Sequence, residues 1–244
     1  MTDAQAPSGP TPSGPPGHDF IAATRVFWDT VADDYAERFR EEFVGRPLER
    51  ALLAAYAELV GPGGRVADLG CGPGRVTGRL AALGLDVFGL DLSESMLAIA
   101  RRENPGLRFE LGSMLELDLP DGALAGVVSW YSTIHTPAER LPALFAEFHR
   151  VLAPGGHLLL GFQAGDHTRR HDRPWGHPVV LDFHRRRPEH VAELLTDAGF
   201  GVLSRTVREP SESLGEQVAQ AFLTARKPGP EEAQNQLKPG VPGA

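Results

Sequence analysis

At 244 residues, with 41% hydrophobic and 7% aromatic content, the chain has the material for one globular domain with appended ends. A formal charge of −8 argues against a nucleic-acid partner, which asks for a basic face, and no apolar run is long enough to span a bilayer. No secretory signal is expected from the first residues, and the single cysteine, Cys71, excludes an internal disulfide and fits a reducing cytosol.

Residues 1–19 are rich in Pro, Gly, Ser, Thr and Ala, and residues 228–244 share that character. Such compositions bury too little apolar surface to order themselves, so both ends are predicted to be disordered around a domain spanning 20–227. Residues 20–60 carry two amphipathic helical patterns, near 26–43 and 48–59, and Gly61-Pro62-Gly63-Gly64 stops the second. Strand and helix patterns then alternate, which predicts a parallel sheet with right-handed crossovers. Strands are predicted near 65–69, 86–90, 107–110, 125–130 and 157–162, and helices near 75–83, 93–103 and 138–151. Ser93 suits an N-cap, and Pro154-Gly155-Gly156 is predicted to turn the chain after the third of these helices. Residues 164–180 break the rhythm as a polar stretch rich in histidine and arginine, and 164–187 is the candidate acceptor lid. A helix near 188–198 and strand-like runs at 200–208 and 217–226 follow.

The most informative stretch is Val66-Ala67-Asp68-Leu69-Gly70-Cys71-Gly72-Pro73-Gly74, an apolar strand running into three alternate glycines. Glycine removes a Cβ where backbone and ligand must approach closely. Asp91, seventeen residues past Gly74, closes the second strand, where an acid suits a ribose diol. Together these predict a nucleoside-bearing ligand laid across the ends of a parallel sheet.

The loop resembles the glycine-rich motif of the class I S-adenosylmethionine (SAM)-dependent methyltransferases. The resemblance continues through Gly89-Leu90-Asp91-Leu92-Ser93-Glu94-Ser95-Met96-Leu97 and Phe148-His149-Arg150-Val151-Leu152-Ala153-Pro154-Gly155-Gly156. It implies a Rossmann-like α/β three-layer sandwich with a seven-stranded sheet of order 3-2-1-4-5-7-6 and an antiparallel last strand. The implied cofactor is SAM, with S-adenosylhomocysteine (SAH) as by-product. By the same resemblance the Gly70, Cys71, Gly72 and Gly74 loop underlies the methionine part, and Asp68 reaches its amine. Asp91 accepts from the ribose hydroxyls, while Leu92 and Met96 cover the adenine. Ser113 and Met114 follow the third strand, although many relatives carry an acid at the Ser113 position. Ala125 likewise stands where an Asp commonly opens the fourth strand. Trp130 and Tyr131 end that strand near the reactive centre, and Tyr35 matches an aromatic position over the methionine.

For the acceptor, His135 is the candidate general base, being placed just beyond the fourth strand. Trp175, His177 and Phe183 are candidate walls of an acceptor subsite. The arginines at 169, 170, 173 and 185–187 are candidate partners for an anionic group. Ser129-Trp130-Tyr131-Ser132 lacks the Asn/Asp-Pro-Pro-aromatic signature of nucleobase amino methyltransferases and offers no acid for a metal, and no zinc motif occurs, so no metal is expected. A small-molecule acceptor is therefore expected, without nucleic acid or membrane as partner. Two alternatives stay open: a SAM- or SAH-binding module or rearrangement enzyme on the same fold, and an NAD(P)-dependent oxidoreductase. The latter usually shows G-x-G-x-x-G, whereas the spacing here is Gly70-x-Gly72-x-Gly74.

Overall fold

The computed structural model describes residues 19–41, 43–229 and 232, so the expectation of disordered ends falls almost entirely outside the described residues. Helices α1 (Asp19–Arg38) and α2 (Pro47–Val60) precede an alternating series. The series runs β1 (Arg65–Leu69), α3 (Arg75–Ala82), β2 (Asp86–Asp91), α4 (Glu94–Glu103), β3 (Arg108–Leu111), β4 (Leu124–Trp130), α5 (Leu141–Val151) and β5 (Leu152–Gln163). A hairpin of β6 (Thr168–Asp172) and β7 (Val180–His184) follows, then α6 (Pro188–Asp197), β8 (Gly201–Arg208) and β9 (Gln220–Arg226).

Seven strands form one sheet in the order β3-β2-β1-β4-β5-β9-β8. Counting only these seven, the order is 3-2-1-4-5-7-6. Strands β1 to β5 pair in parallel, and β9 runs antiparallel to both β5 and β8. The central strands read as continuous apolar runs because both faces are covered. Helix α5 buries Leu144, Phe145 and Phe148 against one face, while α2 and α3 bury Leu53, Tyr56 and Leu80 against the other. Fully burying side chains of this size contributes about 1.5–3 kcal/mol each.

The helix ends follow local chemistry. Gly61, at φ +85°, ends α2, a conformation that suits glycine. Ser93 caps α4 as predicted, accepting the Met96 N–H at 3.1 Å.

Two predictions of local structure are corrected. Pro154-Gly155-Gly156 lies inside β5 and not before it, where three extra residues, with Gly155 at φ +83°, kink the strand. The pairing register jumps there from Leu124↔Leu152 to Gly126↔His157. The 164–187 segment is not an irregular loop, because β6 and β7 form a separate antiparallel sheet within it. β6 carries no apolar residue, and β7 alternates only through Leu181 and Phe183, too short a pattern to mark a strand in sequence.

The position of α1 matters most for the site. It packs on α4 through Ala32, Ala36, Met96 and Ile99, and on β7 through Phe27, Val31 and Leu181. These contacts carry Trp28 and Tyr35 over the strand ends. Among the described residues no helix is long and apolar enough to cross a membrane.

Candidate cofactor and acceptor site

The glycine loop is shaped by what lies beneath it. A Cβ on Gly70 would come within 2.2 Å of Ser132 Cβ, so the loop passes directly over the end of β4. Ser132 Oγ donates to Leu69 O at 2.6 Å, so the Ser129 hydroxyl, 2.5 Å away, donates to Ser132. Gly72 holds φ +52° with open space where its Cβ would be. Its N–H donates to Asp91 Oδ2 at 2.8 Å, and the Ser93 N–H donates to Asp91 Oδ1 at 2.9 Å. Burial raises the Asp91 pKa, while the Ser93, Gly72 and Leu92 N–H groups favour its charged form.

A cavity of about 330 Å³ opens in front of this loop. Of the residues expected at the cofactor, Tyr35, Gly70, Gly72, Asp91, Leu92, Met96, Met114, Trp130 and Tyr131 line it. Tyr131 holds φ +57°, a strained value for a non-glycine residue, fixed by its N–H donating to Gly161 O at 2.7 Å.

The structure does not bring Asp68, Cys71, Gly74 or Ser113 to the cavity wall. Asp68 is buried behind the loop and accepts from Thr77 Oγ1 at 2.6 Å, tying the loop to the first turn of α3. Cys71 turns into an apolar cluster with Leu97, Ala100 and Phe109, where burial pushes its thiol pKa well up. Gly74 caps α3 in the left-handed region, close against Phe109. Ser113 Oγ accepts the Leu115 N–H at 3.2 Å within its own turn.

The acceptor candidates divide as well. Phe183 and His135 line the cavity with ring centroids 4.6 Å apart. Trp175 does not line it; it stands 48% exposed in the turn between β6 and β7. His177 holds the lid instead, its Nε2 lying 2.7 Å from Asp34 Oδ2 on α1. Arg186 is a second tie: its buried guanidinium donates to Thr133 O and Thr136 O, and burial lowers its pKa to about 10.

His135 sits differently from a solvent-poised base. It is buried, and Nε2 accepts the indole N–H of Trp28 at 3.3 Å. Burial pushes its pKa down to about 3, only partly opposed by the Asp182 backbone.

Several lining residues escaped the sequence reading. Trp28 carries no local motif, because its partner lies 107 positions away. Glu216 and Gln217 come from the strap between β8 and β9, clamped over the cavity by ion pairs, and Gln220 opens β9 beside it. Glu216 meets Arg46 at 3.0 Å and Arg208 at 2.7 Å, and Arg208 meets buried Glu49 at 2.8 Å. The charge pattern of Arg46, Glu49, Arg208 and Glu216 is the only signal, and it becomes legible only in three dimensions.

Residues 66–156 match the family model described as a methyltransferase domain. The trans-aconitate 2-methyltransferase of Methylobacterium nodulans is 42% identical over 133 residues, 52% of this chain and 49% of that protein. The malonyl-[acyl-carrier protein] O-methyltransferase of Serratia marcescens is 33% identical over 119 residues, 47% of this chain and 44% of that protein. The chain spans about half the length of the curated relatives it matches. In fold it is similar to the Burkholderia thailandensis 1,6-didemethyltoxoflavin-N1-methyltransferase, whose crystal structure holds 1,6-didemethyltoxoflavin and SAH. That likeness has a TM-score of 0.68 and 24% identity and covers 93% of this chain and 97% of the other. Residues 66–156 thus match a methyltransferase domain, on a fold similar to that of solved methyltransferases.

Proposed function

We propose that the chain binds SAM and transfers its methyl group to an O, N or C atom of a small molecule held in the same cavity. One observation carries the reading. Asp91 faces the cavity with both oxygens oriented by the Gly72 and Ser93 N–H groups, beside a glycine whose missing Cβ leaves room for a ligand. A carboxylate oriented in this way suits the two hydroxyls of a ribose diol. Leu92, Met96 and Met114 offer apolar cover for a nucleobase, and the Gly70–Gly72 backbone with Tyr35 borders the adjoining space.

SAM supplies a methyl group on a cationic sulfur, already activated for displacement. The chain must therefore align an acceptor and exclude water. Trp28, Trp130, Ile134 and Phe183 give the cavity an apolar wall suited to both tasks. Among the described residues lining it, each carboxylate or imidazole is already engaged. Asp91 holds backbone N–H groups, Glu216 holds Arg46 and Arg208, and His135 accepts from Trp28. Such a lining favours an acceptor that is nucleophilic without losing a proton to the protein.

The test is transfer of label from methyl-tritiated SAM into the small-molecule fraction of a metabolite extract. Label in a low-mass product supports the proposal. Tight SAM binding without transfer to any fraction favours the non-methylating alternative.

A further inference from the structure

The β6–β7 hairpin has two chemically different faces. Residues directly opposite in an antiparallel pair share a face, as do residues two apart along a strand. Arg169 is paired with Phe183, and Arg185 lies two residues beyond Phe183, so the backbone places all three toward the cavity that they line. The opposite face carries Thr168, Arg170, Asp182 and His184, and it satisfies itself. Arg170 meets Asp182 at 3.4 Å, and the Thr168 hydroxyl lies 2.8 Å from His184 Nδ1.

The cavity face is not neutralised in that way. Arg169 Nη1 donates to the neutral amide of Gln217 at 2.9 Å, and Arg185 Nη1 lies 2.6 Å from His167 Nε2. Among the described residues neither guanidinium has a carboxylate partner. Arg185 Nε is buried with no acceptor. Burial and the neighbouring Arg169 both lower the Arg185 pKa, the response of a cation held near a like charge. Two cations facing one cavity, each without a carboxylate partner among the described residues, suit an incoming anion.

We propose that the acceptor carries a carboxylate, bound by Arg169 and Arg185 at the lid edge of the cavity, with its body against Phe183 and His135. Two guanidinium forks match the two oxygens of a carboxylate. The inference rests on the methyltransferase reading and narrows its substrate class. Of the six arginines in the lid segment it selects two, and it sets aside Arg170, paired on the outer face, and Arg186, tied to the backbone of Thr133 and Thr136.

The test uses the full chain saturated with SAH. A set of short and medium aliphatic and aromatic carboxylic acids, each matched with its primary amide, is screened by ligand-observed NMR. At least one acid should bind about tenfold tighter than its amide. Arg169→Gln combined with Arg185→Gln should abolish that preference, and Arg170→Gln should retain it. Exposed Arg169→Gln alone should reduce it, which keeps the test decisive if the double variant fails to fold. The proposal is overturned if no acid in the set outbinds its amide, or if the preference survives in the arginine variants. Calorimetry with SAH separates the two levels of inference. Normal SAH binding without acid preference removes only the carboxylate assignment, whereas wild-type protein that does not bind SAH removes the reading beneath it.

Discussion

The indole N–H of Trp28 points at His135 Nε2 across 3.3 Å, with the two rings edge to face at 5.4 Å. An imidazole nitrogen that accepts is the one without a proton, so this contact occupies the lone pair a general base would use. With the pKa pushed down to about 3 by burial, His135 is already neutral across the ordinary working range. The rate should therefore show no rise between pH 5 and 8 attributable to this group. NMR of its ring protons should show no titration there. A midpoint near 6.5 that moves with the rate would restore the base assignment.

The same burial links His135 to acid stability. Its folded pKa, about 3, lies below the ordinary value of 6.5. The stabilisation from the neutral buried ring is thus complete above about 6.5 and is lost as pH falls toward 3. Urea unfolding of His135→Gln should depend less steeply on pH across that window than the wild type. Parallel curves would show that the group is not buried in neutral form.

Gly70 and Gly72 separate conformational strain from collision. Both hold positive φ, where a side chain costs about 1–2 kcal/mol. Only Gly70 would also meet Ser132 Cβ, at 2.2 Å, while the Gly72 position is open. Gly72→Ala should lower the melting temperature by about 2–8 °C, and Gly70→Ala by clearly more. Adding Ser132→Gly to Gly70→Ala should cost less than the sum of the two separate changes. Strict additivity would mean that the loop does not rest on Ser132.

The lid wall is assigned to Phe183 and not to Trp175. Phe183 lines the cavity and touches His135, whereas Trp175 stands 48% exposed away from it. With an identified acceptor, Phe183→Ala should raise KM about tenfold or more through lost apolar contact, with SAH affinity unchanged. Trp175→Ala should leave KM within about twofold. The reverse ranking would place the acceptor on the outer face of the hairpin.

The parallel sheet was legible because β1, β4 and β5 are largely apolar and separated by amphipathic helices, whereas its strand order followed from the family resemblance. Asp91 and the glycine loop were legible because their chemistry is local to the ends of two strands. The β6–β7 hairpin was not, since Arg169 and Arg170 look alike in sequence while pairing places them on opposite faces. Asp68 illustrates a different limit. An acid before the loop signals the loop, but Thr77, nine residues on, turns its carboxylate inward. Trp28 was invisible for a third reason, because only packing of α1 on α4 and β7 brings it to His135.

The most direct measurement is calorimetric titration of SAH into the wild type and Asp91→Ala, with NAD as a control. Asp91 is held by the Gly72 and Ser93 N–H groups and lines the cavity. Its removal leaves the ribose hydroxyls poorly paired, a loss of about 1–3 kcal/mol, or roughly five- to 150-fold in affinity. The expected result is saturable SAH binding to the wild type, weakened by that factor in a folded Asp91→Ala variant, with NAD bound poorly by both. Unchanged SAH affinity in the variant, or NAD bound more tightly than SAH by the wild type, would contradict the assignment of this cavity to SAM.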